Sequence, residues 1–227
     1  MDKDSLLVTP ELNNINKYLK SGTRTEITDV INRKAKILKD RTDGLTVKRI
    51  LLWMNKYTSR LHDGNDNRKF KRSATEILQS MERTGCCDSC TLFTALARSA
   101  GIPTMQIITL SKRWGKDIDK GRRTETSGHF FVGVYLKDIH GKFNWVLVDS
   151  DRCVTDIRDI RDVRDVRFGH LNIVDRNIGD LYTFAYVTDY FDDLGIDSIE
   201  KMAEVQLEAY KRCDKRNFTD VYEIDGR

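Results

Sequence analysis

Three cysteines fall within five residues, at Cys86, Cys87 and Cys90, directly after Gly85. A deprotonated thiol is a strong nucleophile, and the first turn of a helix favours the thiolate because unpaired backbone N–H groups and the positive end of the helix dipole face it. Gly85 breaks the chain and a helical run follows, so Cys86 is the cysteine best placed at that first turn. Cys90 comes one turn later and is expected to pack inward; Cys87 is ambiguous between packing and solvent. A thiolate needs a proton-transfer partner, and the chain holds four histidines, His62, His129, His140 and His170. His129 begins an apolar, strand-like run, whereas the other three lie in polar, turn-like stretches. A histidine at a strand start is also a common half-buried structural side chain, so its neighbour decides the reading. Two strand-like runs, 129–136 and 142–149, are joined by the five residues 137–141, a length that hairpins use. If Leu136 faces Lys142, then His129 faces Asp149, and opposed residues share a face with Cβ atoms about 5 Å apart. The expected chemistry is nucleophilic attack on a carbonyl, with His129 moving the proton and Asp149 holding the imidazole in register. A slip of one residue would break that pairing.

The elements that must position these groups can be read from periodicity. Residues 10–61 carry apolar positions at helical spacing, first Ile27, Val30, Ile31, Ala35 and Leu38, then Val47, Ile50, Leu51 and Met54, with Thr42, Asp43 and Gly44 between them. They predict two or three amphipathic helices. Residues 62–72, rich in Asp, Asn, Gly and Lys, read as a solvent loop. A short helix is predicted over 73–81, with Ser73 as N-cap and Glu76 closing a capping box. The helix opened by Cys86 buries Leu92, Phe93, Leu96 and Ala97 and stops at Gly101-Ile102-Pro103. The texture then changes to period two over 105–110, 129–136 and 143–149, which predicts an antiparallel sheet, with a basic loop over 112–127. A strand over 181–187 and an amphipathic helix over 198–213 follow. Before them, 156–168 repeats an Asp-Ile/Val-Arg triplet whose period of three suits neither helix nor strand. It reads as a solvated segment of local Asp and Arg pairs, or as a docking face for a charged partner.

Composition narrows the function classes. The chain has 227 residues, 39% of them hydrophobic, enough for one sizeable core. Charged residues make up 33%, yet the net charge is only +4 and the two signs are interleaved, which argues against a nucleic-acid surface. No run approaches the roughly 20 apolar residues of a membrane span, and the first residues predict no secretion leader. Five cysteines, three of them crowded, do not form the pattern of a disulfide scaffold. The expected compartment is the reducing cytoplasm.

These residues resemble a known family. Gly85-Cys86-Cys87-Asp88-Ser89-Cys90-Thr91-Leu92-Phe93, ending in Ala97-Arg98-Ser99-Ala100-Gly101-Ile102-Pro103, resembles the nucleophile helix of the transglutaminase-like superfamily. Counted back from Gly-Ile-Pro, the family's cysteine falls on Cys86. Gly128-His129-Phe130 resembles its histidine strand, and Trp145-Val146-Leu147-Val148-Asp149 the strand bearing its acidic residue. The resemblance covers roughly 73–150. It implies an α+β, papain-like fold in which the nucleophile helix packs on an antiparallel sheet, and catalysis by Cys86, His129 and Asp149. Two features depart from the pattern or match it loosely. The family often has an aromatic residue after the cysteine, where this chain has Cys87, although Phe131 keeps the aromatic residue two after the histidine. The family also uses an upstream side chain beside the backbone N–H of the nucleophile to stabilise the oxyanion. By loose position Tyr57, then Trp53, would fill that role here, and core packing is the competing reading for both.

The implied activity is attack on amide bonds of proteins or peptides through a thioester, with hydrolysis favoured over acyl transfer because it needs no second substrate pocket. No cofactor and no metal are expected. The competing classes are a metal or redox protein built on Cys87-x-x-Cys90, which lacks the second ligand pair a zinc site uses, and an interaction module that keeps the fold without activity. A single domain over 1–227 is expected, with a helical part at 1–72, a catalytic core at 73–150 and an extension at 151–227. Oligomeric state is left open.

Overall fold

The computed structural model describes residues 7–61, 66–122, 126–137, 141–151, 169–170 and 177–213. Thr28 and Thr42 each accept the N–H three residues on and so start two amphipathic helices, α1 (Asp29–Leu38) and α2 (Asp43–Tyr57). Their inward stripes, Ile31, Ala35 and Leu38, then Val47, Ile50, Leu51 and Met54, are buried. A two-residue strand β1 (Ser59–Arg60) runs parallel to β2 (Glu82–Arg83), with α3 (Ala74–Ser80) between them. The capping box of α3 forms as its sequence predicts: Glu76 N–H reaches Ser73 Oγ and the Ser73 N–H reaches the Glu76 carboxylate. The β1–β2 ladder therefore ties the end of α2 to the approach of α4 (Cys86–Ser99), whose residues 87–98 are all buried.

The sheet follows. β3 (Thr104–Ser111), β4 (Phe130–Lys137), β5 (Phe143–Val148), β6 (Gly169–His170), β7 (Asn177–Ile178) and β8 (Leu181–Val187) pair antiparallel in the order β6-β5-β4-β3-β8-β7. Two short helices lie around it, α5 (Lys112–Asp119) and α6 (Tyr190–Leu194), and α7 (Ile199–Arg212) ends the described chain, capped by Ser198. The central strands β3 and β8 are buried along their whole lengths, so they do not show the half-buried alternation of a one-sided sheet. The helices cover one face. The other buries a smaller cluster of Met105, Ile107, Phe131, Trp145, Leu181 and Tyr186 beneath Tyr18 of the 3-10 helix Ile15–Leu19.

Three sequence expectations need correction. The basic stretch after β3 is not a plain loop: the Ser111 hydroxyl accepts from the Trp114 N–H, and Trp114 and Ile118, four residues apart, pack inward to make α5. The segment before α3 is not wholly solvent-exposed, because Phe70 enters the core and Arg72 is buried against Asp88. The hairpin register is also shifted. Leu136 pairs with Asn144 rather than Lys142, so Asp149 lies diagonal to His129 instead of opposite it. A shift of two keeps side-chain parity, which is why both still share a face. The Asp-Ile/Val-Arg repeat and residues 214–227 lie outside the described residues, as do His62 and His140.

Candidate functional site

The site forms where the start of α4 meets the mouth of the β4–β5 hairpin. Gly85, with φ of +155°, turns the chain into α4 and offers no side-chain cap, so the first N–H groups of the helix stay open around Cys86. Of the three clustered cysteines, Cys86 alone reaches the surface; Cys87 and Cys90 are fully buried. Burial, with nearby negative charge adding to it, pushes the thiols of Cys87 and Cys90 well up, which keeps them protonated. The Cys90 thiol donates to the Phe131 carbonyl at 3.4 Å, so it works as a packing group between α4 and β4. Among the described residues, no group of three or more His, Cys, Asp or Glu side chains could hold a metal ion.

His129 is fixed through its backbone. Its N–H donates to Thr109 Oγ1 at 3.0 Å, and its carbonyl accepts from the Thr109 hydroxyl at 2.9 Å and the Thr109 N–H at 3.1 Å. The residue before it must be glycine: a Cβ on Gly128 would lie 2.1 Å from the Thr109 carbonyl oxygen. The imidazole meets Phe131 edge-on, with centroids 4.6 Å apart, and His129 is only 8% exposed.

Nε2 of His129 lies 3.0 Å from Asp149 Oδ1, which also accepts the Asp151 N–H at 3.0 Å. With Nε2 engaged by the carboxylate, Nδ1 is the nitrogen left to face the Cys86 sulfur, whose influence on the ring adds to that of Asp149. Burial by itself would lower the pKa of His129. The hydrogen bonds to Asp149 and Cys86, with their charges, outweigh it and raise the value from 6.5 to about 10. The arrangement thus holds an imidazolium between a carboxylate and a sulfur.

Tyr57 is 53% exposed and stacks on Trp53 at 6.4 Å; Lys56 lies over the Tyr57 ring and Lys34 over that of Trp53. Among the described residues, these ring contacts join neither aromatic to Cys86, His129 or Asp149.

Behind the site lies a buried polar network that the sequence reading did not single out. Asp88, in the first turn of α4, accepts from the Thr84 N–H and hydroxyl, both at 2.7 Å, and from Arg72. Arg83, 1% exposed, donates to Thr58 Oγ1 at 2.6 Å and Ser89 Oγ at 2.8 Å and lies 3.6 Å from Asp151. Asp151 is equally buried and also meets Arg60 at 2.8 Å and the Ser89 hydroxyl at 2.9 Å. The available signal was proximity: Asp151 stands two residues after Asp149, in the turn that follows β5. Thr109 carried a weaker one, a hydroxyl inside an apolar strand.

The family model of the transglutaminase-like superfamily matches residues 31–150, just over half of the chain. The chain belongs to that superfamily. No curated protein matches it. Among solved structures, a proposed cysteine protease from Cytophaga hutchinsonii superposes with a TM-score of 0.51 at 18% sequence identity, over 83% of this chain and 54% of the other. The present chain therefore spans about half the length of that protein, and the likeness is one of fold.

Proposed function

We propose that this chain is a cysteine hydrolase that cleaves amide bonds of proteins or peptides through a thioester, with Cys86 as nucleophile, His129 as proton shuttle and Asp149 as the group that orients it. The observation that carries the reading is the Asp149 carboxylate oxygen that accepts from both the Asp151 N–H and His129 Nε2, in a ring whose pKa Asp149 and Cys86 together raise. Family membership and the proposed activity of the Cytophaga hutchinsonii protein point the same way.

The Cys86 sulfur attacks the amide carbonyl carbon, and the charge that develops on oxygen is received by the Cys86 backbone N–H at the open helix start. Tyr57 and Trp53 are the candidates for a second donor. His129 then gives its Nδ1 proton to the amide nitrogen, the C–N bond breaks and the amine leaves. In the second half His129 takes a proton from water, the resulting hydroxide attacks the thioester, and the C–S bond breaks to release a carboxylic acid and restore the thiolate–imidazolium pair. Because Asp149 holds the ring through Nε2, the same nitrogen serves both halves. The free thiols of Cys86, Cys87 and Cys90 suit a reducing compartment, the cytoplasm.

The test is a peptide-library digest read by mass spectrometry, with a fluorescent primary amine present. Wild type is expected to generate new termini and Cys86→Ala to reduce them by about a thousandfold or more, the scale of removing a covalent nucleophile. Undiminished cleavage by Cys86→Ala would refute the mechanism. Attachment of the amine to library peptides in place of cleavage would make amine, not water, the acceptor.

A further inference from the structure

Asp151 is tied to both sides of the site. Its backbone N–H donates to Asp149 Oδ1 at 3.0 Å, the same oxygen that meets His129. Its carboxylate meets Arg60 of β1 at 2.8 Å, Arg83 of β2 at 3.6 Å and the Ser89 hydroxyl of α4 at 2.9 Å. Ser89 lies three residues after Cys86, and its N–H donates to the Gly85 carbonyl, so the Asp151 carboxylate is fastened to the turn that presents the nucleophile. The residue thus joins the acid-bearing end of β5 to the start of α4, two parts of the chain that approach each other only in the folded state.

Stability alone is a poor account of this group. A buried ion pair costs several kcal/mol of desolvation for each charge, and a well-packed apolar pair of similar volume is often as stable or more so. An apolar pair could not fix an orientation. Asp151 and Arg83 are each 1% exposed, and the two cations and one hydroxyl around the carboxylate leave residues 149–151 little freedom.

We propose that Asp151 is a positioning residue of the Cys86–His129–Asp149 site: its amide holds the Asp149 carboxylate on the imidazole while its own carboxylate, gripped by Arg60, Arg83 and Ser89, locks that turn to the nucleophile helix. The inference rests on the functional reading of Cys86, His129 and Asp149. Among the described residues, the titratable groups facing Asp151 are Arg60, Arg83 and, through its amide, Asp149; those facing His129 are Asp149 and Cys86.

The test needs no substrate. The rate of Cys86 alkylation by iodoacetamide is followed by tandem mass spectrometry of the full chain from about pH 4 to 9, alongside far-UV circular dichroism, because alkylation reads the reactivity that the imidazole confers on the sulfur. Asp149→Asn is expected to slow alkylation near pH 5 by about tenfold and to move the acid limb upward. Asp151→Asn and Ser89→Ala are expected to move it the same way, by about threefold or more, with unchanged circular dichroism. Should Asp151→Asn fail to fold, Ser89→Ala and Arg60→Gln decide, since both keep the Arg83–Asp151 pair. Folded Ser89→Ala, Arg60→Gln and Asp151→Asn proteins with the wild-type profile, beside a displaced Asp149→Asn, would reduce Asp151 to a packing role and overturn the proposal. A flat response to Asp149→Asn as well would refute the functional reading itself, and the proposal with it.

Discussion

At the scale of single residues, the site works by holding one proton in a chosen place. Burial opposes an imidazolium at His129, yet Asp149 and Cys86 prevail and raise its pKa to about 10. Replacing Asp149 by Asn removes the charge and leaves the ring free to take the wrong tautomer; kcat against any cleaved peptide is expected to fall by about a hundred- to ten-thousandfold, measured at fixed pH. The same shift couples to stability. A group whose pKa is higher in the folded state stabilises fully below its ordinary value and loses that contribution as pH rises through the folded value. The gap in urea midpoint between wild type and Asp149→Asn is therefore expected to be widest near pH 6, below 6.5, and to close towards pH 10. The rare residues here were legible in the sequence: few histidines existed to choose from, and only His129 opened a strand. Thr109, Ser89 and Asp151 were not, because Thr, Ser and Asp occur throughout the chain and their roles depend on which backbone lies opposite.

Elements translate those positions into geometry. Caps and turn signals could be read directly, as the Ser73–Glu76 box shows, because they use contacts within four residues. The β4–β5 register could not: the loop length suited more than one pairing, and the observed choice moved Asp149 to a diagonal while preserving its face. Nor was α5 legible among so many Lys and Arg residues, since its start depends on a single Ser111 cap and on two apolar anchors that only tertiary packing rewards. The tightest element contact is the passage of Gly128 beside β3. Gly128→Ala would set a Cβ 2.1 Å from the Thr109 carbonyl oxygen, a backbone atom that cannot swing aside. It is expected to cost about 2 kcal/mol or more in urea denaturation, the scale of overpacking, and to weaken the Thr109–His129 bonds that aim the imidazole.

The molecule as a whole separates its cores. The larger one joins the helices to one face of the sheet and contains Cys87, Cys90 and much of α4; the smaller lies on the far face around Tyr18 and Trp145, whose rings meet edge-on at 5.2 Å. The α+β class was legible because the apolar period changes from helical to alternating after Pro103. The burial of both sheet faces was less so, since residues 15–19 carry no signal of the strand surface they cover. Tyr18→Ala is expected to lower stability by roughly 3 to 5 kcal/mol while leaving Cys86 alkylation in the remaining folded protein unchanged, as measured by denaturation and labelling of the same sample. No described helix is long and apolar enough to cross a membrane. One further consequence follows from the burial of residues 87–98 along α4. With its flanks filled, that helix is an anvil: whatever is brought to the sulfur must be shaped by the opposite wall and its rim. Descendants of such a chain could change what they accept by redrawing their loops, while the striking surface stays where the interior has set it.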